Sequence, residues 1–199
     1  MRPLKSIVVA AVLTLAWVSA AMAQFQPTPS PKAFRPTYQA TFVGLVTAAS
    51  ATDIVTIQGS ATKIVSVTEF SCTGISTTVG TADLLLIKRS TANTTGTSTT
   101  ATNVPNDSAS PAATAVVKGY TANPGALGTA VGTLRSGKLA LQLATTGLAL
   151  TPLRWQFGDS PYEQPIVLRG VAQTLALNGN AATLAAGASL DCNVTWTEN

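Results

Sequence analysis

The sequence predicts an all-β chain folded as a single antiparallel β-sandwich of about eight to ten strands. Three observations predict it. Short apolar runs, several with period-2 alternation, recur from residue 40 to residue 198. The segments between them are rich in Gly, Pro, Asn, Ser and Thr, the residues that make turns. No stretch carries a convincing amphipathic helical period; the nearest, AATLAAGA (181–188), is short, is interrupted by Gly187 and reads as a loop.

Ahead of the strands, residues 1–23 read as a signal peptide. Arg2 and Lys5 precede the apolar run SIVVAAVLTLAWVSA, and small residues close it at AMA. The run is shorter than the roughly 20 apolar residues that span a bilayer, so cleavage after Ala23 is expected and no membrane span is left behind it. The mature chain keeps 176 of the 199 residues, enough for one domain with its own core. Arg2 and Lys5 leave with the peptide, so ten basic groups face eight acidic ones, a net of +2. No basic run tracks a phosphate backbone, and nucleic acid is not an expected partner. Export places the protein outside the cytosol: secreted, periplasmic or on the cell surface.

Residues 24–38, QFQPTPSPKAFRPTY, form a proline-rich extended leader with four prolines, and Phe25 and Phe34 are its candidate anchors. The strand domain is expected over 39–199. Its strand candidates are 40–47, 52–59, 62–75, 82–89, 114–120, 138–144, 153–157, 165–170, 172–179 and 189–198. In the last of these, SLDCNVTWTE, Leu190, Cys192, Val194 and Trp196 share one face and Asp191, Asn193 and Thr195 the other. Leu139, Leu141 and Leu143 likewise share a face, as do Leu153, Trp155 and Phe157. Leu84 to Ile87 is apolar on both faces, as expected of a strand covered on both sides.

The chain has two cysteines, the smallest even count, and an exported protein meets an oxidising environment. A Cys72–Cys192 disulfide tying an early strand to the last one is therefore expected.

The long connection 90–113, STANTTGTSTTATNVPNDSASPAA, holds almost no apolar bulk. Loops of that length are usually functional or disordered, and here the candidate contact residues are Asn93, Thr95, Asn103, Asn106 and Asp107. Tyr120 and Tyr162 sit beside turns, and side by side they would make a stacking platform for a sugar. Asn93, Asn106 and Asn193 match the glycosylation pattern, but no glycan is inferred from it.

Chemistry is constrained by what is missing. With no histidine, neither a Ser-His-Asp nor a Cys-His site can be built, and the commonest zinc ligand is gone. A bridged cysteine pair offers no thiolate. Asp159 and Glu163 are the closest acidic pair, but Pro161 and Pro165 make their segment a turn, and Arg154 and Arg169 stand ready to neutralise them. An enzyme, a metal site and a cofactor are not expected.

The segment LLLIKRSTANTTGTSTTATNVPNDSASPAATAVVKGYTANP, with GTAVGTLRS and SLDCNVTWTE, resembles β-sandwich structural proteins of tailed bacteriophages, prophages and related uncharacterised bacterial proteins. The resemblance covers roughly residues 51–198. It implies a jelly-roll-like fold with a surface, decoration or assembly role, and it carries no active-site residues. The chain differs from that group in its signal-peptide-like start and its cysteine pair. The expected function is that of an exported, non-catalytic structural protein acting by self-association or adhesion. Its expected partner is a second copy or another surface protein; the alternative is a carbohydrate-binding module with a glycan as partner.

Overall fold

The computed structural model describes residues 35–145, 150–160 and 162–199. The signal peptide, the leader up to Phe34 with Phe25, and Pro161 lie outside the described residues. Those described are all-β, with no helix. The strands are β1 (Thr37–Leu45), β2 (Asp53–Gln58), β3 (Ile64–Ser76), β4 (Gly80–Arg89), β5 (Ser98–Thr100), β6 (Val104–Pro105), β7 (Val116–Tyr120), β8 (Ala130–Leu143), β9 (Leu153–Gln156), β10 (Ile166–Arg169), β11 (Thr174–Asn178) and β12 (Ser189–Glu198). Each of the ten expected strands has its counterpart, and β5 and β6 are additional. Both fall inside 90–113, so this connection is partly sheet.

All twelve strands belong to one curled sheet, ordered β5-β7-β2-β11-β4-β8-β3-β12-β1-β6, with β9 and β10 also on β3. The sheet is mixed, which corrects the expectation of purely antiparallel pairing. β8 runs antiparallel to β4 from Ala130 to Leu141, and its last two residues then pair in parallel with Ile75 and Ser76 of β3. One long strand thus carries the chain from one half of the sheet into the other. The halves meet across a shared core: Gly119 of β7 lies so close to Phe42 of β1 that a β-carbon there would stand 2.8 Å from the ring. Only glycine fits that approach.

The alternation seen in the sequence sets the core. Leu190, Cys192, Val194 and Trp196 are all buried, and so are Phe70, Val67, Leu84, Leu86, Leu139, Leu141 and Leu168. Cys72 and Cys192 are direct register partners in the β3–β12 pair and form the expected disulfide, 120 residues apart in sequence. β1 begins at Thr37, inside the stretch assigned to the leader, because Tyr38 is a core residue: its ring stacks on Trp196 at 5.8 Å. At the other end of β1 the register with β12 shifts between Phe42 and Leu45. There Gly44 takes φ 66° and its N–H donates to Asp191, a bulge that suits glycine.

Candidate functional site

The residues singled out in 90–113 are held by the fold. Asn93 bridges two elements: its Nδ2 donates to Asp53 at 2.8 Å and its Oδ1 accepts from the Gly128 N–H at 2.9 Å. Thr95, at φ 55°, accepts the Gly125 N–H on its hydroxyl. Asn103 donates to the Ala115 carbonyl at 2.8 Å, and its Oδ1 is buried without a partner. Asp107 caps its own turn by accepting from the Ala109 N–H, a local Asx bond. Asn106 accepts from Gln39 Nε2 at 2.9 Å. All five side chains thus make bonds within the fold, and Asn106 also lines a groove.

Of the two tyrosines that together would have made a stacking platform, one is buried. Tyr120 is only 5% exposed because β7 turns it inward, so it presents no face to a ligand, whereas Tyr162 is 97% exposed on its turn. The two carboxylates face different arginines: the Asp159 charge acts on Arg154, whereas Glu163 lies toward Arg135. Glu163 faces Arg135 at 3.9 Å, an exposed contact of little energy. Arg154 is taken by Glu69 at 2.6 Å, and that bond, with the charge behind it, holds the guanidinium proton more firmly than usual. Arg169 makes its bond through its backbone N–H to Gln173. Among the described residues no group of His, Cys, Asp and Glu is placed to hold a metal ion, and no helix is long and apolar enough to cross a membrane.

Two surfaces went unnoticed in the sequence. The first is the outer face of the half-sheet β9-β3-β12-β1-β6. Register places Arg154, Ser71, Asn193 and Thr41 in one row, and Gln156, Glu69, Thr195, Gln39 and Val104 in the next. These are the positions that alternate with core residues, so the same period that buries Cys192 and Val194 presents Asn193 outward. Where β6 stops, this face falls into a groove of about 500 Å³ lined by Gln39, Thr41, Thr102, Val104 and Asn106. The β1 and β12 alternation carried the signal, read in the sequence only for its apolar half.

The second surface is the end of the molecule where the β1–β2, β3–β4 and β11–β12 connections meet. One groove, of about 160 Å³, lies between residues 46–49 and 184–188; another, of about 350 Å³, lies between Val79–Thr81 and 140–143. Ala185 stands against Gly80, so the two adjoin. Val46 and Val79 project here, 60% and 77% exposed. No residue lining either groove is charged.

Compared with known proteins, the chain matches no family model, no curated protein and no solved structure. Function is therefore argued from these surfaces alone.

Proposed function

We propose that this is an exported, non-catalytic structural protein that acts by surface contact, through self-association or adhesion, on a jelly-roll-like β-sandwich. The observation that carries the reading is the apolar, uncharged end built around Val46 and Val79. Exposed apolar patches rimmed by polar surface mark contact sites. The occupant favoured is a second copy: a surface without charge meets its own image with no like-charge repulsion, as an isologous contact requires. The Cys72–Cys192 disulfide is compatible with an oxidising compartment. The curl that sets β7 against β1 supports the sandwich reading.

The test is sedimentation velocity on disulfide-intact protein lacking residues 1–23, over a range of concentrations. Association is expected to rise with concentration and to disappear in Val79→Glu. A wild-type protein that stays monomeric throughout, or an association untouched by Val79→Glu, refutes the reading.

A further inference from the structure

We infer that the groove between β1 and the β5–β6 segment is a binding site for a neutral carbohydrate chain. The inference is independent of assembly through the apolar end, since it rests on other residues and another face.

The volume, about 500 Å³, lies within the range of small-ligand sites. Its lining has no ionisable side chain, yet it is rich in groups that both give and take hydrogen bonds. The internal bonds leave a defined set of these unused. Gln39 Nε2 gives one of its two N–H groups to Asn106 Oδ1, which leaves its second N–H and the Asn106 Nδ2 as donors and Gln39 Oε1 as an acceptor. Thr41 Oγ1 donates to Asn193 Oδ1 at 2.7 Å, which leaves the Asn193 Nδ2 as a donor on the row beside the groove. The exposed hydroxyl of Thr102 makes no hydrogen bond to the other described residues. The groove thus offers both donors and acceptors, and each sugar hydroxyl can play either part.

The groups are also fixed in place before any ligand arrives. Val104 and Pro105 pair with Gln39 and Tyr38, the Asn106 N–H donates to the Thr37 carbonyl at 2.8 Å, and Asn103 ties the wall to Ala115. Amides held in this way lose little freedom on binding, which is how modest hydrogen bonds give usable affinity. Val104, 57% exposed, offers the one apolar patch, suited to the C–H face of a pyranose. An anion would find no cation in the lining, and a nucleic acid would find neither a cation nor an aromatic ring. The groove opens onto the rows Asn193–Ser71 and Thr195–Glu69, so a chain longer than one sugar has polar surface to follow.

The experiment is affinity electrophoresis of the disulfide-intact protein through gels containing soluble neutral glucan, mannan or galactan, with a sulfated and a uronic-acid polymer in parallel. Retardation by at least one neutral polymer is expected, unaffected by Val79→Glu or Tyr162→Ala and weakened about tenfold by Thr102→Val and by Asn106→Ala. Thr102→Val is expected to keep the fold intact because that hydroxyl holds no other described residue. No retardation by a neutral polymer, retardation confined to the charged polymers, loss on Tyr162→Ala, or retardation that survives both groove substitutions would overturn the inference.

Discussion

Glu198 gathers four donors: the backbone N–H groups of Thr114 and Ala115, the Thr114 hydroxyl, and the Trp196 indole, all between 2.7 and 3.0 Å. Burial works against its charge, but the bonds from Ala115, Thr114 and Trp196 outweigh it and hold the carboxyl below its ordinary value of 4.5. Burial first, and then this negative charge, push the neighbouring Tyr38 phenol upward. A carboxyl lowered on folding stabilises the native state above its unfolded pKa, and that contribution is lost as pH falls through the lowered folded value. Urea midpoints measured from neutral pH down into the acid range are therefore expected to fall on the acid side of pH 4.5. Glu198→Gln, which sets an amide against those donors, is expected to cost about 1–3 kcal/mol at neutral pH and to flatten the acid slope. An unchanged slope would remove Glu198 from the account. Asp53 holds a second, deeper knot. It takes Arg89 on both oxygens at 2.7 and 2.8 Å, with Asn93 and Asn178 completing its shell, and both charged side chains are buried. Asp53→Ala strands a buried guanidinium and is expected to cost about 3–5 kcal/mol, while the double variant Asp53→Leu/Arg89→Met costs less than that single change. A denaturation cycle in which the double variant is the less stable would contradict this.

At the scale of elements, what the sequence shows is what local alternation can encode. β12 was legible because every second residue from Leu190 to Trp196 is apolar, and the cysteine on that face proved to be opposite Cys72. β8 was legible only from Lys138 onward. Its first half pairs with β4 through two irregularities, where Leu134 and Val131 have no partner residue on β4, so the period of two breaks and no apolar face emerges. β5 and β6 were illegible because they are Ser, Thr, Val and Pro held by strands elsewhere in the chain, Tyr120 and Gln39 among their partners. The Asp53 knot joins residues 36, 40 and 125 positions apart, a grouping that no local pattern signals. The polar face of β1 and β12 was there to be read but carries no motif that sets it apart from any solvated strand. The disulfide is the element-scale device with a calculable effect. Closing 120 residues of chain gives about 5 kcal/mol in the loop-entropy account. The variant Cys72→Ala/Cys192→Ala is expected to lose up to that amount, read as a lower urea midpoint that matches reduced wild-type protein. Equal midpoints for oxidised and reduced protein would leave the bridge without a stabilising role.

Across the whole molecule the question is why a sheet with open edges does not simply grow by edge pairing. The strand order ends in β5 and β6, three and two residues long, the latter containing Pro105. Very short edges and proline are both means of blocking strand addition. β9 and β10, four residues each, pair with β3 alone, and a longer open edge is the outer side of β8, which meets no partner strand before Gln142 among the described residues. Its exposed stretch, 130–136, is the one distorted by the extra residues Val131 and Leu134, and bulges twist an edge away from a flat template. Edges blunted in these ways are consistent with the proposal that association runs through the apolar end rather than by strand addition. Deleting Val131 and Leu134 together restores regular pairing with β4 while removing two exposed apolar side chains. If hydrophobicity governed aggregation, the deletion would make the protein more soluble. If edge geometry governs it, the deletion variant forms thioflavin-positive fibrils under conditions where wild type stays in solution, with an unfolding midpoint close to that of wild type. A variant that remains soluble and non-fibrillar would show that the bulges do not guard the β8 edge.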